Sequence, residues 1–192
     1  MNDILIRGAR SADLPRLLEI YGWYVENTAV SFEYETPSLA EFSARWARIT
    51  ARYPYLVAER DGRVLGYAYA GPFVGRAAYD WSCELTVYLD PESRGVGLGR
   101  RLYAALEDAL RAMGVTNLYA CIGWSETEDE YLTHASPAFH SALGFRLAGS
   151  FRQCGCKFGR WYDMIWMEKL IAPHLTPPSP VRSRADIPGE EK

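Results

Sequence analysis

The chain has no apolar run near the roughly 20 residues that a membrane helix needs, and it has no internal repeat. It also has no excess of positive charge. Against 24 Asp and Glu stand 21 Lys and Arg, giving a net charge of −3 and a pI near 5.7, which excludes a general nucleic-acid binder. Histidine is scarce, with only His134, His140 and His174. The four cysteines are Cys83, Cys121, Cys154 and Cys156. Cys154-Gly155-Cys156 is a close pair with no second pair at metal-finger spacing, so no metal site is expected. Cys83 and Cys121 fall in apolar strand-like runs and read as small core residues, with the thiols reduced. Residues 1–7 show no signal-peptide apolar stretch, so a cytoplasmic location is expected.

What is present suits one globular domain. The 192 residues are 48% hydrophobic and 23% charged, enough to bury a core. Apolar periodicity predicts a strand at 4–7, a helix at 13–27 capped by Ser11, and a helix at 39–52 capped by Ser38. Asp61-Gly62 signals a hairpin between strands at 55–59 and 64–70. A long strand follows at 78–89, then a helix at 102–113 and a strand at 118–122. An acidic loop covers 124–135, and a short helix at 137–143 is closed by Gly144. An antiparallel pair at 145–151 and 162–170 completes a mixed α/β (α+β) fold. Beyond it, Pro177, Pro178, Pro180 and Pro188 lie among Ser, Arg and Glu. Residues 172–192 are therefore expected to be a flexible tail on a domain of residues 1–171.

The most informative stretch is Arg94-Gly95-Val96-Gly97-Leu98-Gly99-Arg100, between the long strand and the third helix. Glycines there leave backbone N–H groups unobstructed at a helix N-terminus, which suits a phosphate or pyrophosphate. No Lys-Ser or Lys-Thr follows, as a P-loop would require, and the spacing is G-x-G-x-G rather than the dinucleotide G-x-G-x-x-G. Glu84 is the other notable residue. It interrupts the apolar run Cys83-Glu84-Leu85-Thr86-Val87, where partial burial would lift its pKa toward general-base values.

The Arg-x-x-Gly-x-Gly pattern resembles the pyrophosphate loop of GNAT acetyltransferases. The runs Tyr53-Pro54-Tyr55-Leu56-Val57-Ala58-Glu59, Gly66-Tyr67-Ala68-Tyr69-Ala70-Gly71-Pro72, Tyr79-Asp80-Trp81-Ser82-Cys83-Glu84-Leu85-Thr86-Val87-Tyr88 and Phe139-His140-Ser141-Ala142-Leu143-Gly144-Phe145 resemble phosphinothricin N-acetyltransferases. The resemblance covers about residues 3–170. It implies a GNAT fold, a mixed sheet splayed at the cofactor site and flanked by helices. The implied reaction moves an acetyl group from acetyl-coenzyme A to the amino group of a small amino-acid-like acceptor, of phosphinothricin or methionine sulfoximine/sulfone type; the alternatives are acetylation of a protein or peptide amine, and a module that binds acetyl-coenzyme A without transfer. The implied catalytic residues are Glu84 as base and His140 as proton relay. The backbones of Val87, Tyr88 and Leu89, with Ser136, would hold pantetheine. Arg94, Gly95, Val96, Gly97, Leu98, Gly99 and Arg100 would hold the pyrophosphate. Phe32, Arg76 and Tyr79 would meet the acceptor, Arg76 reading its acid group. A homodimer is implied; a metal, a nucleic acid or a membrane is not.

Overall fold

The computed structural model describes residues 3–186. One seven-stranded sheet runs β1-β2-β3-β4-β5-β7-β6. Its strands are β1 (Leu5–Gly8), β2 (Tyr55–Arg60), β3 (Arg63–Pro72), β4 (Ser82–Leu89), β5 (Asn117–Trp124), β6 (Arg146–Lys157) and β7 (Arg160–Leu170). All neighbours pair antiparallel except β4 with β5, which are parallel. The helices are α1 (Leu14–Asn27), α2 (Leu39–Thr50), α3 (Leu98–Met113) and α4 (Ala135–Ala142).

Strand alternation divides the core. Cys83 and Leu85 join Leu98, Leu102 and Leu106 of α3 in one cluster. Tyr55, Val57 and Tyr67 join Leu14, Leu17, Ile20 and Phe42 of α1 and α2 in another, on the opposite face. Glu84, Thr86 and Tyr88 therefore point toward α1 and α2. Parallel pairing of β4 with β5 spans only Ser82↔Asn117 to Glu84↔Tyr119, although both strands run on, and β5 stays paired with β7 along its whole length. The sheet opens beyond Glu84, and that opening creates the site.

Several elements differ from the sequence reading. Ser11 opens a 3-10 turn (Ser11–Asp13) and does not cap α1, which begins at Leu14. Helix α3 begins at Leu98 rather than 102, because Leu98 and Leu102 bury on one face and Gly97, at φ 81°, makes the turn into it. The strand expected from 78 begins at Ser82, after a 3-10 turn at Ala77–Tyr79. Strand β6 continues through Cys154-Gly155-Cys156 to Lys157, bulged between Phe151 and Gly155.

The described part of the expected free tail, 172–186, lies against the domain instead. The Trp81 indole donates to Ser179 O at 2.7 Å and Arg184 N to Arg52 O at 3.0 Å. Arg182 caps the end of α3, its N donating to Met113 O at 2.8 Å and its Nη2 to Ala112 O at 2.6 Å, while Val181 packs on the core. The last carbonyls of a helix lack intrahelical donors, and this strap supplies them. Composition measures what a segment can bury, not what it can cap. The rest of that tail lies outside the described residues. Truncation after Ala172 should cost about 2 kcal/mol and lower Tm by roughly 4–8 °C. An unchanged melting curve would show that the strap does not hold in solution.

Candidate active site

The opening between β4 and β5 is a cavity of about 310 Å³. Glu84, Thr86 and Val87 border it from β4, and Cys121 and Ile122 from β5. Tyr103 of α3, Ser136 and His140 of α4 and Met164 of β7 face it, and Ser31 and Phe32 of the α1–α2 connection cover it. Glu84, Val87, Ser136, His140 and Phe32, distant in sequence, thus converge.

The Glu84 carboxylate is half-buried and has no hydrogen-bond or ion-pair partner among the described residues. Burial raises its pKa from the ordinary glutamate value, so it binds a proton more readily than an exposed carboxylate. A structural carboxylate in such a place would have a cationic or hydroxyl partner.

His140 is only 3% exposed. Its Nδ1 lies 2.8 Å from Ser136 O, which can only accept, so Nδ1 carries the hydrogen. Nε2 then accepts from the Tyr103 hydroxyl at 2.9 Å. Burial lowers the His140 pKa, which keeps the ring neutral, and raises that of Tyr103. Tyr103 escaped the sequence reading because it sits at a core-facing position of α3. The available signal was its polar tip, which when buried needs a partner.

Backbone parity corrects two of the three pantetheine contacts. Asp90 N donates to Leu65 O at 2.8 Å in the β3 ladder. Antiparallel alternation therefore commits the backbone groups of Tyr88, two residues earlier, to β3, and its ring joins the aromatic cluster on the α1 face. Leu89 faces the other way, but its O accepts from the Tyr24 hydroxyl at 2.8 Å and its N donates to that hydroxyl at 3.2 Å. Val87 shares the parity of Leu89 and turns its backbone into the opening. It is the residue of the three placed to pair with an extended ligand.

The glycine loop is held at its entrance by Asp90, whose buried carboxylate pairs with Arg16 and Arg63 and accepts from Glu92 N. Gly95 and Gly97 have φ of 79° and 81°, which other residues rarely adopt, and a Cβ on either would meet nothing within 4 Å. Val96 is exposed. Leu98 is buried, so only its backbone can face a ligand. Gly99 serves another purpose: a Cβ there would lie 2.9 Å from the Phe139 ring, so it allows α3 to approach α4. The Arg94 guanidinium stacks 4.8 Å from the Trp23 ring and 5.0 Å from the Tyr24 ring, which fixes a charge beside the loop. Arg100 is exposed on the first turn of α3.

On the acceptor side, Lys157 pins the covering loop. Its buried Nζ donates to Val25 O at 2.7 Å, Thr28 O at 2.9 Å and Ser31 O at 2.6 Å, matching three protons to three carbonyls. Phe32 lies against β6 where a Cβ on Gly155 would come within 2.4 Å of its ring. This is the packing role of the Cys-Gly-Cys run. Gly155→Ala should displace Phe32 and raise the acceptor KM roughly 5–10-fold, on the scale of about 1 kcal/mol, without changing the donor KM. Steady-state kinetics with each substrate varied would show it; equal rises would place the damage elsewhere.

Arg76 and Tyr79 do not reach this cavity within one chain. They border a separate hollow with Arg52, Tyr53, Pro72 and Asp80, beyond the end of β3. Cys83 is buried in the core as read, but Cys121 is exposed in the cavity, its thiol 2.9 Å from Met164 Sδ. The cavity wall around the thiol raises its pKa, so it stays protonated and is a poor nucleophile near neutral pH. Among the described residues no group of three or more His, Cys, Asp or Glu side chains is placed to hold a metal ion.

Comparison with known proteins identifies the family of the chain. A phosphinothricin N-acetyltransferase of Streptomyces viridochromogenes is 38% identical over 183 residues, covering 95% of each chain. An L-methionine sulfoximine/L-methionine sulfone acetyltransferase of Pseudomonas paraeruginosa is 37% identical, covering 90% of this chain and 98% of its own. The crystal structure of a GNAT superfamily phosphinothricin acetyltransferase from Sinorhizobium meliloti, in complex with acetyl-CoA, superposes with a TM-score of 0.83 at 36% identity, covering 97% of this chain and 96% of that one. Residues 6–166 match the acetyltransferase (GNAT) domain, and the chain belongs to the GNAT acetyltransferase family.

Proposed function

We infer that this protein moves the acetyl group of acetyl-CoA to the amino group of a small amino-acid-like acceptor, of the methionine sulfoximine/sulfone or phosphinothricin type. One observation carries the reading: an unpartnered, half-buried carboxylate, Glu84, faces the gap in a splayed sheet. Acetyl-CoA supplies the activated acyl carbon. The loop at Gly95 and Gly97, with Arg94 and the free backbone of Val87, supplies a diphosphate seat and an extended-chain edge that fit it. An ammonium has no lone pair, so Glu84 accepts the proton that frees the amine. Tyr103 and His140 border the departing side, where the pair could relay to the coenzyme A sulfur a proton that the amine sheds on attack; at rest the Tyr103 hydroxyl donates to His140 Nε2. The loop pinned by Lys157 narrows the acceptor entrance, which favours a small molecule over a folded protein.

The catalytic unit is residues 1–171, with the strap supporting it. Four free cysteines suit a reducing cytoplasm, and no helix among the described residues is long and apolar enough to cross a membrane. A homodimer fits the outer hairpin. Strand β6 is a sheet edge, and Leu147, Phe151, Trp161 and Leu170 on β6 and β7 are 53–64% exposed. Arg76 and Tyr79 would then have to meet the acceptor from the second copy. The test is thiol release from acetyl-CoA with methionine sulfone, methionine sulfoximine, phosphinothricin and an N-terminal peptide. Turnover of the peptide alone would overturn the small-acceptor reading.

A further inference from the structure

Tyr24 of α1 touches both halves of the donor site. Its hydroxyl lies on the edge of β4 that faces the gap. There it donates to Leu89 O at 2.8 Å and accepts from Leu89 N at 3.2 Å. One side chain thus satisfies both backbone groups with which Leu89 would meet a further strand. An extended ligand that pairs at Val87 finds no free partner at Leu89, and it must leave the strand edge between the two.

The ring of the same residue faces the glycine loop. The Arg94 guanidinium lies 5.0 Å from the Tyr24 ring and 4.8 Å from the Trp23 ring, and the two rings meet edge to face at 86°. Arg94 is thus held in an aromatic corner. Its N–H groups make no hydrogen bond or ion pair among the described residues, so they remain for an anion. A long arginine without such a corner samples many rotamers, and ordering it costs affinity when a ligand binds. Tyr24 is itself fixed in place. It is buried, its ring packs on Tyr88 at 5.0 Å, and its carbonyl O accepts from the N and the hydroxyl of Thr28, which closes α1.

We propose that Tyr24 and Trp23 are positioning residues for the acetyl donor. Tyr24 ends the free strand edge at Val87 and, with Trp23, sets Arg94 at the point toward which the ligand turns. In coenzyme A that turn falls on the branched pantoyl carbons, which join the amide arm to the diphosphate. The strand edge and the charge are therefore set at a fixed separation before the ligand arrives, which spares the cost of ordering them on binding. The proposal rests on the reading of the glycine loop as the diphosphate seat.

Two variants and three ligands test it. Tyr24→Phe keeps the ring beside Arg94 and removes the hydroxyl from Leu89. It should raise KM about 5–10-fold for both acetyl-CoA and S-acetylpantetheine, which lacks the diphosphate, with kcat at saturating donor and the acceptor KM within about twofold. Trp23→Leu opens the Arg94 corner at a position that is 37% exposed, where folding is little at risk. It should weaken acetyl-CoA and ADP about tenfold by calorimetry and leave the KM for S-acetylpantetheine within about twofold. Mere destabilisation would lower kcat through the folded fraction and spare the donor KM. Tighter acetyl-CoA binding in Tyr24→Phe would overturn the proposal and make the hydroxyl a plug that the ligand displaces. Equal losses for acetyl-CoA and S-acetylpantetheine in Trp23→Leu, or donor KM values unchanged in both variants, would also overturn it. If Tyr24→Phe does not fold, the Trp23→Leu comparison decides alone. Failure of the parent protein to bind either acetyl-CoA or ADP would instead overturn the diphosphate seat itself.

Discussion

Glu84→Gln should lower kcat by about 10²–10⁴ near neutral pH, the range set by losing a general base, with acetyl-CoA affinity nearly unchanged. The amide keeps the shape of the side chain and cannot take the amine's proton. The pH dependence has a definite sign. Burial raises the Glu84 pKa above its usual value, so the acid limb of kcat/KM should lie above the ordinary glutamate pKa of about 4.3, and activity should fall as pH drops through the folded-state value. Stability should move the opposite way to activity. A carboxylate whose folded pKa is raised binds more protons folded than unfolded. Its ionised form therefore penalises the fold above the unfolded pKa, fully so once pH exceeds the folded one. Removing the charge relieves that penalty, so the variant should melt at the same temperature as the parent or higher at pH 7. A variant with nearly full turnover across the pH range would assign the proton to another group. A variant that is inactive because it is destabilised would make Glu84 a structural carboxylate.

Chemistry that depends on local pattern was legible in the sequence. A glutamate interrupting an apolar strand, and glycines where that strand gives way to a helix, announce themselves within a few positions, and both sit where the cavity and the loop are. What depends on three-dimensional adjacency was not. The parity that turns Val87 toward the gap and Tyr88 toward β3 follows from which neighbour β4 pairs with. Gly99 looks like its two loop neighbours in sequence, but the ring of Phe139, 40 positions on, decides its role. Lys157 reads as a surface lysine near a hairpin turn, yet it is 2% exposed and holds the loop over the site through carbonyls more than 120 residues earlier. Arg76 was placed by resemblance alone, and the chain carries it to another hollow. The docking of 172–186 was not legible in composition for a similar reason, since its hydrogen bonds to the domain, from backbone and side chain alike, end largely on backbone carbonyls that no hydropathy pattern records.

The three loop glycines should separate in one experiment. Gly97→Val should weaken acetyl-CoA binding roughly 100-fold by calorimetry. At φ 81° a β-branched residue is strained, by about 1–2 kcal/mol, and relief would rotate the peptides that open α3 away from the diphosphate. Losing one or two charge-assisted N–H contacts at about 1.5–3 kcal/mol each gives that factor. The new side chain meets no protein atom nearby, since a Cβ at Gly97 has nothing within 4 Å, so the damage should fall on the ligand more than on packing. Gly95→Val shares the positive φ and the open surroundings and should behave similarly. Gly99→Ala should do the reverse. Its Cβ would press on the Phe139 ring at 2.9 Å and separate α3 from α4, lowering Tm while leaving most of the cofactor affinity. If all three variants lose affinity alike, Gly99 belongs to the diphosphate seat after all. If Gly97→Val binds acetyl-CoA as the parent does, the loop is a turn without a ligand and the cofactor reading loses its principal physical support.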